Sequence, residues 1–143
     1  MCRVAIVSLM LLTCFASSSA IAENNSPRQY YSGWNKHPSR AYHYRSLYYK
    51  PTPSYVGYKH HYALHYKSRP NHVYFYNPYS KSYWGRCAID HGGKYSMLAP
   101  SARKSTLEQI QESDFPPPAA PPALPEAEDG IKLDLPPDDL PLD

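Results

Sequence analysis

The sequence predicts a mostly irregular or disordered chain that carries a small antiparallel β-hairpin or three-stranded meander and one short helix, behind a cleaved N-terminal signal helix. Three observations lead there. Residues 23–143 contain 9 Leu, 3 Ile, 2 Val and 2 Phe, which is 16 of 121 and below the roughly 20% carried by chains that pack an aliphatic core. Nine of the sixteen prolines lie from Pro116 onward. Only Val73 to Cys87, VYFYNPYSKSYWGRC, joins β-favouring aromatics to turn formers in the manner of a hairpin.

Residues 1–22 form a signal peptide. Arg3 gives the positive start, Val4 to Ala16 is an apolar run broken only by Ser8 and Thr13, and Ala20-Ile21-Ala22 is a small-x-small cleavage site with Ala20 and Ala22 at its key positions. The run is shorter than the about 20 residues of a spanning helix, so no transmembrane span is expected after cleavage. Leu11-Leu12-Thr13-Cys14 is similar to a lipid-attachment box, with Thr13 where that pattern carries Gly, Ala or Ser.

Residues 23–71 are a basic, Tyr- and His-rich low-complexity region cut by Pro38, Pro51, Pro53 and Pro70. Ala41 to Ser46 (AYHYRS) is echoed by Ala63 to Ser68 (ALHYKS). Tyr55, Tyr58, Tyr62 and Tyr66 fall at helical spacing, and a helix over 56–67 is as compatible with the sequence as extended structure. On such a helix His61 and His65 would share a face, which makes them candidate metal ligands. No third ligand follows at a characteristic spacing, and no cofactor is expected.

Residues 72–99 form the predicted meander. A four-residue loop from Pro78 to Lys81 would pair Asn77 with Ser82, Tyr76 with Tyr83 and Phe75 with Trp84. Two strands are marginal in water, so Lys94 to Leu98 is expected to return as a third, with Tyr95 and Met97 on one face and Ser96 and Leu98 on the other. Residues 104–114 read as a short helix, with Ser105 as N-cap and Glu108 completing a capping box. Residues 115–143 read as a Pro-rich, acidic, disordered tail that repeats Asp-Leu-Pro at 134–136 and 139–141.

Charge divides the chain. Residues 23–104 carry 13 Lys or Arg against Glu23 and Asp90, a net +11, whereas residues 105–143 set Lys132 against 10 acids, a net −9. That pattern points to self-association between the tail and the aromatic region, or to an anionic partner such as an acidic surface polysaccharide. Export argues against a nucleic-acid partner. Cys87 is the single cysteine after residue 22; it is either a small buried hydrophobe or the site of an intermolecular disulfide.

Tyr74-Phe75-Tyr76-Asn77, a short polar loop and Trp84 resemble the second and third strands of a WW domain. The resemblance implies a groove for Pro-rich peptides on Tyr74 and Trp84, and Tyr74, Tyr76, Tyr83 and Trp84 are the candidate ligand-binding residues. A four-residue loop would place Tyr74 and Trp84 on opposite faces and a three-residue loop would reunite them. Tyr83 to Cys87, Glu112 to Pro116, Glu128 to Gly130 and Pro136 to Pro141 also resemble, in order, phrases shared by a group of small exported bacterial proteins, which implies export alone. No motif positions a nucleophile, a phosphate or a metal, so no enzyme is expected. The expected function is that of an exported, non-enzymatic structural or interaction protein of the cell envelope or extracellular matrix, secreted or periplasmic, whose tyrosines could cross-link. The alternative is a binding module for acidic polysaccharide or Pro-rich peptide.

Overall fold

The computed structural model describes residues 26–142; the expected signal segment, with the expected cleavage residues Ala20 and Ala22, lies outside them. Seven strands form one antiparallel sheet: β1 (Gln29–Tyr31), β2 (Asn35–Lys36), β3 (Tyr42–Tyr49), β4 (Lys59–Tyr66), β5 (Arg69–Asn77), β6 (Ser82–Ala88) and β7 (Ser96–Met97). From β3 to β7 each strand pairs with its sequence neighbour, and β1 and β2 both pair with the outer edge of β3.

The strands form because their side chains alternate between two faces, each of which finds cover. In β3, His43, Arg45, Leu47 and Tyr49 are buried, and Tyr42, Tyr44, Ser46 and Tyr48 point the other way. One face collects Leu47, Tyr49, Ala63, Val73, Phe75, Trp84 and Cys87. The opposite face collects Leu64, Tyr74 and Tyr83, flanked by Tyr42, Tyr44, Tyr62, Tyr66 and Tyr76. Aromatic rings thus take the volume that aliphatic side chains would fill: Tyr49, Tyr74, Tyr83 and Tyr95 are all buried.

Each face is covered by irregular chain. Leu98, Leu107, Ile110 and Phe115 lie over the second face, where the Arg86 guanidinium rests 4.0 Å from the Phe115 ring centroid and pairs with Glu112. The acidic segment crosses the first face and inserts Leu124 and Leu133, each 2% exposed. Three ion pairs tie it across the sheet: Arg28 to Asp129 at 2.8 Å, Arg45 to Asp139 at 2.9 Å and Lys59 to Glu126 at 2.7 Å. We call this segment the strap.

Several sequence expectations are corrected. The region 23–71, read as low-complexity chain with a helix over 56–67 or extended structure left open, contains β1 to β4, and residues 59–66 are strand. The meander extends toward the N-terminus of 72–99, through β4 to β3, and ends within it at β7. The short helix over 104–114 is replaced by two 3-10 turns, Leu107–Gln109 and Glu112–Asp114; a segment this short gains little from α-helical bonds and instead lies flat, burying Leu107, Ile110 and Phe115. Ser105 does not cap it; the capping box is formed by Gln111 and Asp114. The acidic segment is packed, not disordered, over its described length, because it buries Leu124 and Leu133 in the core and its acids pair with basic residues of the sheet side.

The hairpin has the expected loop. Asn77 pairs with Ser82 and Tyr76 with Tyr83, and the Asn77 carboxamide oxygen accepts from the Tyr79 and Ser80 amides. Phe75, however, pairs with Gly85, so Trp84 occupies a bulge. A Cβ at Gly85 would collide with the Tyr95 hydroxyl and approach the Ser96 carbonyl oxygen to 2.6 Å. The two echoed segments lie on adjacent strands, Tyr42 opposite Tyr66 and His43 opposite His65.

Candidate binding surfaces

The second face is only partly covered, and the gap is a pocket of about 430 Å³. Six tyrosines line it: Tyr42 and Tyr44 from β3, Tyr62 and Tyr66 from β4, Tyr76 from β5 and Tyr83 from β6. They converge because every second residue of antiparallel neighbours faces the same way, with Tyr42 opposite Tyr66 and Tyr62 opposite Tyr76. His37, Pro38 and Arg40, from the β2–β3 connection, and Ser105 complete the wall.

The rings hold one another edge to face. Tyr44 and Tyr62 lie at 6.0 Å and 84°, Tyr76 and Tyr83 at 5.0 Å and 64°. The Tyr66 and Tyr83 hydroxyls share a close hydrogen bond. Burial raises the pKa of Tyr62, Tyr66 and Tyr83, although the bond from Tyr83 works against that rise at Tyr66. All three stay protonated at neutral pH, so each hydroxyl can both donate and accept.

Of the four predicted ligand-binding residues, Tyr76 and Tyr83 line this pocket. Tyr74 belongs to the same face but is 2% exposed, and Trp84 is buried on the other face against Phe75 and Tyr95. Tyr74 and Trp84 therefore share no groove. The pocket also brings in Tyr42, Tyr44, Tyr62, Tyr66, His37 and Arg40, which sequence reasoning left unassigned; the alternation of Tyr42 with Tyr44 and the echo at 41–46 and 63–68 were the signals available.

His61 and His65 lie on β4, where a separation of four residues spans about 13 Å, too far for one ion. His61 is buried, its Nε2 3.3 Å from the Tyr49 hydroxyl, and burial lowers its pKa to about 4. His65 Nε2 lies 3.0 Å from the Pro70 carbonyl oxygen. Among the described residues no three His, Cys, Asp or Glu side chains gather as metal ligands would. Cys87 is 2% exposed, and burial, reinforced by the charge of Asp138, pushes its thiol up to about 12. Of the two readings of the sequence, the small buried hydrophobe matches this burial; in this conformation an intermolecular disulfide would need the covering chain to lift.

On the first face, side chains grip the strap by its backbone. The Gln29 carboxamide donates to the Lys132 carbonyl at 2.8 Å and accepts from the Asp134 amide at 2.9 Å. The Tyr31 hydroxyl donates to the Asp134 carbonyl at 2.7 Å, and the Trp34 indole N–H to the Asp139 carbonyl at 3.0 Å. His91 Nε2 lies 3.0 Å from the Pro136 carbonyl and 3.0 Å from the Asp138 carboxylate. Arg45, whose guanidinium lies 4.7 Å from the Trp34 ring centroid, holds the Asp139 carboxylate. Charge complementarity was legible in the sequence, but which basic residues meet which acids was not.

No family model, curated protein or solved structure matches the chain. No described helix is long and apolar enough to cross a membrane.

Proposed function

We propose that the protein is an exported, non-enzymatic interaction protein of the cell envelope or extracellular matrix, and that its tyrosine pocket takes the sugar rings of an acidic polysaccharide. The observation that supports this reading is the convergence of six tyrosines with His37 and Arg40 around one open pocket. Its volume falls within the about 300 to 1,000 Å³ of ordinary small-ligand sites. The faces of the rings offer apolar platforms to the C–H faces of sugars. The hydroxyls of Tyr62, Tyr66 and Tyr83, protonated at neutral pH, supply donors and acceptors for sugar hydroxyls. Arg40 on the wall supplies positive charge for a uronate or sulfate group.

Retention of residues 23–143 on immobilised polyuronate or sulfated glycan, followed by elution with salt, tests this reading. Wild-type protein is expected to bind at low salt. Tyr44→Ala and Tyr62→Ala are expected to weaken binding by roughly tenfold when measured well below the thermal midpoint of each variant. Passage of wild-type protein through the column, or unchanged retention of both variants, would reject the pocket as a glycan site and leave a purely structural role.

A further inference from the structure

The groove on the first face has the features of a peptide-recognition site, and it is filled by the chain's own end. Side chains of Gln29, Tyr31, Trp34 and His91 lie against the carbonyls of Lys132, Asp134, Asp139 and Pro136, so the ligand is gripped through its backbone. Recognition of extended Pro-rich peptide works in this way, with aromatic walls and side-chain donors aimed at carbonyls that no secondary structure uses. Sequence selectivity is added by Arg45, 5% exposed at its side chain, on Asp139. Leu135 packs against the core.

Four observations indicate that the occupant can exchange. The Asp139 carboxylate, which ties the segment to the buried Arg45 guanidinium, is itself 55% exposed, so salt reaches the pair from that side. No strand pairing holds residues 134–142, since the strap's one internal bridge joins Ala123 to Lys132. The docked phrase Asp134-Leu135-Pro136 is repeated at Asp139-Leu140-Pro141, where Leu140 and Leu142 are 52% and 92% exposed. Gly130, at φ +69°, offers a bend just ahead of the segment.

We propose that this groove is an exchangeable receptor for the acidic Asp-Leu-Pro segment 132–142, and that in concentrated protein it takes that segment from a second copy of the chain. The contacts in such a pair are those already described, made between copies instead of within one. The groove lies on the opposite face from the tyrosine pocket, so the two proposals stand or fall separately.

Two full-length charge-reversal variants test it. An Arg45→Asp chain has a reversed groove and the native segment; an Asp139→Arg chain has a native groove and a reversed segment. Mixed, each segment matches only the other chain's groove. Native mass spectrometry of the mixture, one variant isotopically labelled, is expected to show heterodimer in roughly tenfold excess over the homodimer of either variant alone. A mixture that stays monomeric would overturn the proposal. Because Arg45 is buried and its variant could fail to fold, a second measurement uses only the exposed Asp139→Arg change. A fluorescent peptide with the sequence of residues 131–142 is expected to bind that chain and to be released by salt. No binding, or equal binding of a scrambled peptide, would also overturn the proposal.

Discussion

Single residues show how a ring-based core differs from an aliphatic one. The Tyr95 ring lies directly over Gly85 and its buried hydroxyl finds no partner among the described residues. A buried, unsatisfied hydroxyl is a cost, so Tyr95→Phe is expected to be neutral or to stabilise by about 1 kcal/mol. Gly85→Ala forces a methyl group into that ring and the Ser96 carbonyl and is expected to cost about 1 to 3 kcal/mol. Urea midpoints of the two variants check both signs. His61 sets the acid limit. Buried between Tyr49 and Trp84, it has a folded-state pKa of about 4 against an ordinary 6.5. The neutral form is therefore favoured by folding: the contribution is complete above pH 6.5 and is lost as pH falls towards 4, on the order of 3 kcal/mol in all. His72, lowered mainly by burial, acts in the same direction. Unfolding free energy measured from pH 7 to 4 should fall, and His61→Phe should flatten the fall. None of this was legible from the sequence, where His61 read as a possible ligand; the side chain's role depends on which face of β4 is covered, and that is decided some 60 residues later.

At the level of elements, the β5–β6 hairpin shows how far local chemistry reaches. Asn77, Pro78 and Ser80 identified the loop and its register at Asn77–Ser82 and Tyr76–Tyr83, because Pro78 fixes φ at the first corner and the Asn77 carboxamide oxygen accepts from the Tyr79 and Ser80 amides. The bulge at Trp84 was not legible; it follows from the demand of the first face for a large ring beside Phe75, which only the assembled sheet creates. Lys81 closes the loop at φ +54°, a conformation that costs a non-glycine residue about 1 kcal/mol. Lys81→Gly is expected to lose little or to gain up to about 1 kcal/mol, whereas Lys81→Val should lose more, as read from thermal midpoints. The same limit applies to the pocket. Tyr76 and Tyr83 were named because they flank a recognisable turn, whereas Tyr42, Tyr44, Tyr62 and Tyr66 lie on strands whose alternation is diluted by polar residues on both faces, His43 and Arg45 on one and Ser46 on the other in β3.

For the whole molecule, the low aliphatic count led to an expectation of disorder because it counted side chains rather than faces. One sheet presents two surfaces, and the covering segments supply the missing leucines: Leu107 on one side, Leu124 and Leu133 on the other. Leu124→Ala is expected to cost about 2 to 5 kcal/mol although it lies in Pro-rich, irregular chain. The strap's exposed ion pairs should make it the part most sensitive to ionic strength. Hydrogen exchange at the Leu124 and Leu133 amides, which bond to the Ile131 and Pro122 carbonyls, should quicken with added salt while the amides paired between β3 and β4 hold. The sheet's hairpins join neighbours in sequence, whereas Gln29 meets Lys132 and Trp34 meets Asp139 across separations of 103 and 105 residues. Loop closure over such a length comes late, after the meander has formed. A polypeptide synthesised amino end first therefore presents an assembled sheet whose first strand stays bare until Lys132 to Asp139 emerge to seal it.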